Sequence, residues 1–508
     1  VAEPAYSAAL DFLLVRIDYE RTVSIPYQRG DFRLDRMRAL LQQLGNPQHN
    51  YPIIHVAGTK GKGSTCALLA AMLTASGYQT GLYTSPHLER IEERIRWNGE
   101  PCSATEFVEL TDLVRPIAER LDEQAALHAA DPSFAAHFQT GPTYFELTTA
   151  MALLYFARRA AANGGKSAVV AEVGLGGRLD STNVLAPVVS VITSISFDHQ
   201  KQLGRTLAAI AGEKAGIIKP GVPVVSGVLP AEPRGVIEQT AQRLGSPLIQ
   251  LGRDFDYAYL PGQMESAALG IHAQLQFQLR SPGRRAQPER YEVGLLGRHQ
   301  AANAAVALAA IEQLRAAGWE LPTAALRSGL AACRWPARVE VLSSRPTVIL
   351  DAAHNEVSIA ALLETLREHF APRRKWLIFA TTKEKPLTAM LTQLVAGFDG
   401  IILTRYGNNP RAVSIAEQSA ALDEVLHEAR HGRSRWHREV AVCPRPQTQN
   451  AVNQQTIRQR PLPRVATAAS PAEAWKIAQN WAGPGDLICA TGSFFLAAEL
   501  RPLIASHS

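Results

Sequence analysis

Gly58-Thr-Lys-Gly-Lys-Gly-Ser64 joins the apolar run Ile53–Ala57 to the helical stretch Ser64–Ser76, and this composition suits the handling of polyphosphate. Gly58, Gly61 and Gly63 carry no side chain to block close approach, so successive backbone N–H groups and a helix N-terminus can converge on an anion. Lys62 adds a point charge. The segment departs from the strict G-x-x-x-x-G-K-[ST] pattern, with Val56 at the first glycine position and Gly63-Ser64 after the lysine. The competing reading is a plain glycine-rich turn between strand and helix.

Four further clusters bear on which bond is made. Glu172 ends an apolar run and precedes Gly174-Leu-Gly-Gly-Arg178, which places a carboxylate where a parallel sheet opens its ligand crevice and where a hard cation such as Mg2+ is held. Asp198 and His199 end a second apolar run. Leu207, Ile210, Ala211 and Lys214 fall at i, i+3, i+4 and i+7, so helical geometry puts an ammonium on an apolar face. Desolvation there lowers the lysine pKa, and a neutral amine captures carbon dioxide as a carbamate; the alternative is a lysine that snorkels to water. Tyr83-Thr-Ser-Pro-His-Leu88 offers the Ser85 hydroxyl at another strand end. No G-x-S-x-G turn and no cysteine in a recognisable charged setting suggests a protein nucleophile.

The elements that position these residues alternate short β-branched runs with longer helical patterns, the sign of parallel α/β architecture. Strands are expected at Ile53–Ala57, Thr80–Tyr83, Ala168–Val173, Val188–Ile195 and Val222–Ser226, with helices at Cys66–Ala75 and Glu146–Ala160. A second series has strands at Val348–Asp351, Trp376–Ala380, Ile401–Thr404 and Leu487–Thr491, and helices at Val357–Phe370 and Ala472–Trp481. Arg280–Arg290 reads as a loop, so the junction is expected near Gly294–Gly297, giving domains 1–296 and 297–508. The expected fold is a phosphate-loop-bearing, mostly parallel sheet domain followed by a smaller Rossmann-like α/β domain. Tyr6–Ile17 and Leu34–Leu44 read as helices ahead of the first strand.

The 508 residues are 46% hydrophobic and 19% charged, an ordinary globular composition with room for two or three domains. No apolar run reaches the ~20 residues of a membrane span, and a cytoplasmic location is expected. Five well-separated cysteines, never in C-x-x-C spacing, argue against a disulfide framework or zinc site. The net charge of +6 suits a pocket for several anionic groups, and much of the basic excess lies in 430–464, which reads as a flexible insertion.

In order along the chain, Gly58–Ser64, Ser85-Pro-His-Leu88, Glu172-Val-Gly-Leu-Gly-Gly-Arg178, Asp180-Ser-Thr-Asn-Val184, His199 with Leu203-Gly204, and Glu213-Lys-Ala-Gly-Ile-Ile-Lys-Pro-Gly221 form a specific series. It continues with His299-Gln-x-x-Asn303, Trp335-Pro-Ala-Arg338, Asp351-Ala-Ala-His-Asn355, Asn409-Pro-Arg-Ala412 and Thr491-Gly-Ser493. The series resembles the Mur ligase superfamily and, within it, the dihydrofolate synthase/folylpolyglutamate synthase family. That resemblance implies ATP-dependent amide ligation: the γ-phosphate activates a substrate carboxylate, and the amino group of L-glutamate attacks the acyl phosphate. The acceptor would be dihydropteroate or a reduced folate.

Carried over by resemblance, Gly58, Thr59, Lys60, Gly61, Lys62, Gly63 and Ser64 bind the triphosphate. Ser64, Ser85, Glu172 and His199 surround two Mg2+ ions, and Lys214 is the carbamylated lysine. Lys62, Glu172, His199 and Lys214 form the catalytic set. From the second domain, Asn303 would reach the adenine, Arg338 the phosphates and Asp351 the ribose, with His354 beside them and domain closure completing the site. Phe32 and Phe145 are the pterin-side candidates. The chain departs from the family at Lys60, where bacterial relatives often carry Asn, in the residues around Ala125–Gln139, and in the basic insertion. The resemblance also implies a monomer that binds neither nucleic acid nor membrane. The alternatives are a related ligase acting on a UDP-sugar peptide, disfavoured by Gly63-Ser64 and Ser85-Pro-His-Leu88, and a nucleotide-dependent RNA-binding protein using the basic insertion.

Overall fold

The computed structural model describes residues 3–18, 34–130, 138, 140–262, 272–281, 284–285, 287–383, 385–407, 409–430 and 461–505. Two compact units emerge, Val1–Gly262 with Ile271–Trp335, and a second whose body is Pro336–Ser508.

The first unit is built on an eight-stranded sheet. Its strands are β1 (Ile53–Ala57), β2 (Gln79–Tyr83), β3 (Ile95–Trp97), β4 (Glu100–Pro101), β5 (Ser167–Glu172), β6 (Val189–Ile192), β7 (Val224–Ser226) and β8 (Leu248–Gln250). The order is β4-β3-β2-β5-β1-β6-β7-β8. The pairs from β2 to β8 are parallel, and only β3 and β4 turn back antiparallel at one edge. All five β1 residues are buried, as a central parallel strand with helices on both faces requires. The two-residue alternation decides which face each side chain serves: in β5, Ala168 and Val170 join one apolar cluster while Val169 and Ala171 join the other.

The first of these clusters holds the helices Lys62–Ala75, Arg298–Ala316 and Thr323–Ala332. The second holds Glu3–Leu14, Leu34–Gln43, Ala104–Ala130 and Tyr144–Asn163. A small antiparallel sheet, β9 (Phe255–Leu260), β10 (Ala273–Ser281), β11 (Arg284–Arg285) and β12 (Glu289–Val293), follows.

Two expectations are corrected here. The ends of Arg280–Arg290 are strand and not loop, since they belong to β10 and β12, which pair from Ala273↔Val293 to Phe277↔Glu289. Arg280, Gln287 and Arg290 are exposed, which is the polarity the segment shows in sequence. The junction also lies later than Gly294–Gly297. Arg298–Ala316 buries Ala301 and the whole run Ala304–Ile311 in the first unit's core, and Gly329 packs so tightly that a Cβ there would stand 2.6 Å from the Ala71 carbonyl oxygen. The alanine-rich helix is therefore a wall of the first unit, and the division falls between Trp335 and Pro336.

The second unit is a six-stranded sheet of β13 (Glu340–Ser344), β14 (Thr347–Leu350), β15 (Lys375–Phe379), β16 (Gly400–Leu403), β17 (Arg464–Thr467) and β18 (Leu487–Thr491). Its order is β13-β14-β18-β15-β16-β17, with only the edge strand β13 antiparallel. Among the described residues, no helix is long and apolar enough to cross a membrane.

Candidate active site

Four neighbouring strands of the first sheet, β2, β5, β1 and β6, end side by side. Tyr83 pairs with Ala171, Val56 with Glu172, and Ala57 with Ile192, so Ser85, Glu172, Gly58 and Thr193 emerge on one rim. The glycines of the β1 turn are demanded by what stands over them. At Gly58 (φ 154°) a Cβ would come within 1.9 Å of Thr193 Oγ1, and at Gly61 (φ 84°) within 2.2 Å of Asn303 Oδ1. Gly61 is the N-cap of Lys62–Ala75, which aims that helix N-terminus at the rim. Gly63 leaves a gap bordered by Glu172 Oε2 and Trp335 Nε1, each 3.4 Å from where a Cβ would sit.

The turn is stitched to the β6 end. The Thr59 N–H donates to the Ser194 carbonyl at 2.7 Å, and Thr59 Oγ1 accepts the Ser196 N–H at 3.1 Å. The Lys60 N–H donates to Ser194 Oγ at 3.1 Å, and its carbonyl accepts from Thr193 Oγ1 (2.7 Å) and Ser194 Oγ (3.0 Å). These bonds fix the backbone shape of the turn against the β6 end.

Charge is concentrated here. Lys62 Nζ lies 3.8 Å from the buried Glu172 Oε1, and Glu172 Oε2 accepts the Ser85 N–H at 3.1 Å. Lys60 Nζ pairs with Asp198 at 2.8 Å. Lys214, the last-turn lysine of the Leu207–Ala215 helix, is buried with Ile210 and Ala211, and its Nζ donates to the Gly58 carbonyl at 2.9 Å. Burial first, then repulsion from Lys62, pushes its pKa from 10.5 down to about 7. The apolar-face reading of Lys214 thus matches the structure, and snorkelling does not.

Ser64, Ser85 and Glu172 offer the oxygen donors that a hard cation prefers, and Glu172 and Ser64 are both buried. His199 sits apart in character: its backbone is left-handed (φ 48°), it caps the short Gln200–Leu203 helix, and its side chain is half exposed beside Asp198. Among the described residues no three His, Cys, Asp or Glu side chains stand close enough to hold a metal ion by themselves, so hydroxyls and phosphate oxygens would have to complete any Mg2+ shell.

Phe145 covers the glycine turn after Glu172. A Cβ on Gly174 would lie 2.5 Å from its Cζ, and the Tyr83 ring centroid is 6.1 Å away. Its neighbours are structural: Tyr144 is buried under the Arg94 guanidinium, and Glu146 accepts from Thr143 and from Arg36 Nε at 2.7 Å. Phe32 lies outside the described residues.

Asn303 belongs to the first unit, where its amide covers Gly61 and donates to Gln300 Oε1 at 2.9 Å, and not to the second as expected. In the second unit Arg338 stands just before β13, and Asp351 and His354 follow β14. Asp351 accepts the Val339 N–H (2.9 Å) and the Ala353 N–H (2.7 Å), Arg338 lies over the Phe494 ring, and the His354 Nδ1 is 2.9 Å from the Ala352 carbonyl, which it can only meet as a donor.

Sequence reasoning picked out Asp180-Ser-Thr-Asn-Val184 and Asn409-Pro-Arg-Ala412 without giving them a role, and it missed His55 and Thr381, which join them in two groups. Beneath the first rim, His55 Nε2 lies 2.8 Å from Thr182 Oγ1, and Thr182 donates in turn to the buried Asp180, which also accepts the Leu175 N–H at 2.9 Å. Burial pushes His55 down to about 3, so it stays neutral and supports the glycine turn from below. The Asp-x-Thr spacing was the available signal, as an aspartate that caps its own turn. At the strand ends of the second unit, Thr381 follows β15 and the buried Asn409 follows β16, with Asn409 Oδ1 accepting the Arg411 N–H at 2.9 Å. Among described residues, Thr381 Oγ1 and Asn409 Nδ2 are buried without a partner.

Comparison with known proteins agrees with this architecture. Residues 113–311 match the Mur ligase middle domain and 337–494 the Mur ligase glutamate ligase domain. The chain is 39% identical to a dihydrofolate synthase/folylpolyglutamate synthase of Bacillus subtilis over 365 residues, 71% of this chain and 78% of that protein. It is 37% identical to the folylpolyglutamate synthase of Lacticaseibacillus casei over 414 residues, 81% of this chain and 88% of that one. The Mycobacterium tuberculosis folylpolyglutamate synthase solved with ADP superposes with a TM-score of 0.77 at 31% identity, covering 99% of this chain and 98% of its own. An Escherichia coli FolC solved with DHPP and ADP gives a TM-score of 0.73 at 26% identity, covering 99% and 98%. With a phosphate-shaped turn, a strand-end carboxylate and a buried lysine on one rim, and relatives of this length and identity, the chain belongs to the Mur ligase family, in its dihydrofolate synthase/folylpolyglutamate synthase branch.

Proposed function

We infer that the protein is an ATP-dependent ligase that joins L-glutamate to dihydropteroate, to folates already bearing glutamate, or to both. The observation that carries this reading is the rim itself: an anion-shaped backbone turn, Glu172 and the depressed Lys214 lie together at the ends of four strands. Phosphoryl transfer to a carboxylate followed by amine attack calls for positioning and charge neutralisation more than for a protein nucleophile.

In this reading the N–H groups of Gly58–Ser64 and the Lys62 ammonium hold the triphosphate, and Asn303 flanks it over Gly61. Bound Mg2+, held by Ser64, Ser85, Glu172 and His199, would neutralise charge on the phosphates as they transfer. From the second unit, Arg338, Asp351 and His354 are assigned to the nucleotide. Phe145 offers an apolar ring to the pterin. The acceptor carboxylate takes the γ-phosphoryl group, the glutamate amine attacks the acyl carbon, and phosphate leaves with its oxygen.

Lys214 is assigned as a carbamate. The neutral Nζ attacks carbon dioxide, one proton is released, and the remaining N–H keeps its bond to the Gly58 carbonyl. The same Lys60 and Lys62 charges that depress the amine would stabilise the anion that replaces it. The experiment is ADP release measured with ATP, Mg2+, glutamate and either dihydropteroate or tetrahydrofolate. Release that needs both glutamate and a pterin acceptor supports the assignment. Release independent of either one defeats it, and the ratio of rates with the two acceptors decides which activity dominates.

A further inference from the structure

Lys60 occupies a position that matters for the state of the rim before nucleotide arrives. Its backbone is held in place, because its N–H donates to Ser194 Oγ and its carbonyl accepts from the Thr193 and Ser194 hydroxyls. Its side chain is a flexible four-carbon stem, and that stem carries the ammonium to Asp198 Oδ2 at 2.8 Å. Asp198 is mostly buried and divides its oxygens: Oδ1 accepts the His199 N–H at 3.1 Å and lies 3.9 Å from His199 Nε2, while Oδ2 is engaged by Lys60. One ion pair therefore ties the phosphate turn to the left-handed residue that starts the His199 helix.

We propose that Lys60 and Asp198 form a nucleotide-sensitive latch, closed between the phosphate turn and the His199 turn by their ion pair and opened when a polyphosphate draws the Lys60 ammonium away. This rests on the nucleotide assignment of the Gly58–Ser64 turn. The direction follows from charge: Asp198 offers one negative charge, a nucleoside di- or triphosphate offers several, and the backbone that bears the lysine is already part of the anion cradle. Opening breaks the Lys60–Asp198 tie between the phosphate turn and the residue before His199, so the His199 turn loosens on the arrival of nucleotide. Lys60 is thus a positioning residue for His199 as well as a phosphate contact.

The test is a double-substitution cycle read by calorimetric binding of ADP without Mg2+. Asp198→Asn removes the competitor for Lys60 and should tighten ADP binding about two- to five-fold. Lys60→Asn should weaken it, and adding Asp198→Asn to Lys60→Asn should give little or no further gain. Equal gains in both backgrounds would reduce Asp198 to a nearby negative charge and overturn the latch, as would unchanged or weaker binding by Asp198→Asn. Hydrogen exchange of the unsubstituted protein is an independent readout: ADP should speed exchange over 196–204, and unchanged or slower exchange there overturns the proposal. A wild-type protein that binds no ADP would instead defeat the nucleotide assignment itself, in a measurement made before any substitution.

Discussion

The strand ends of the two units treat their charged residues in opposite ways. In the second unit, Asp351 is buried after β14 with both carboxylate oxygens accepting backbone N–H groups, those of Val339 and Ala353. In the first, Lys214 is buried on an apolar helical face with the Gly58 carbonyl as its hydrogen-bond acceptor and two more lysines acting on it electrostatically. Burial still holds the Asp351 carboxyl above its usual range, against the pull of Arg338 and of the two backbone N–H groups through which it ties its loop together. Lys214 costs stability, and the rim keeps it in a state ready to react. A buried ionisable group with its hydrogen bonds filled reads as architecture, and one whose protonation is depressed beside a ligand cradle reads as chemistry.

Substitution should separate the two sharply. Lys214→Met is expected to lower kcat for ADP release by about 100- to 1,000-fold, a magnitude typical of losing a preorganised electrostatic group. The same change should stabilise the fold. With a folded pKa near 7 and an unfolded one of 10.5, the unfolded chain binds more protons between those values. The penalty from Lys214 is therefore full at and below about pH 7 and fades as pH rises to 10.5. With carbon dioxide excluded so that the amine is unmodified, unfolding midpoints of wild type and Lys214→Met should differ most at about pH 6 and converge near pH 10. A variant less stable than wild type at the acidic end would break the contrast.

Gly61→Ala comes next, since its Cβ would collide with the Asn303 amide in a left-handed backbone. ADP affinity is expected to fall by about 100-fold, or ~3 kcal/mol, measured by calorimetry. In the second unit, Asp351→Ala leaves two buried N–H groups unpaired and should cost about 2–4 kcal/mol of stability, read from denaturant unfolding. An Asp351→Ala protein as stable as wild type would show that the carboxylate is kept for ligand and not for the loop. The smallest effect is expected at Phe145. Phe145→Leu should raise KM for the pterin acceptor about tenfold with KM for ATP unchanged, consistent with loss of an aromatic contact.

Sequence by itself determined what depends on neighbours along the chain. The strands Ile53–Ala57 and Leu487–Thr491 appear with the bounds their apolar, β-branched runs suggest, the phosphate turn is written in its glycines, and helical spacing alone puts Lys214 on a buried face. Contacts distant in sequence were decided only by the folded chain. Asn303 covers Gly61 because an alanine-rich helix fits closely against Lys62–Ala75, which moves the unit boundary to Trp335–Pro336. Lys60 meets Asp198, and His55 reaches Asp180 through Thr182, because strand order sets β6 beside β1. Local pattern records the pitch and burial of an element, whereas which elements become neighbours follows from packing the whole set at once, and each short polar contact depends on that outcome.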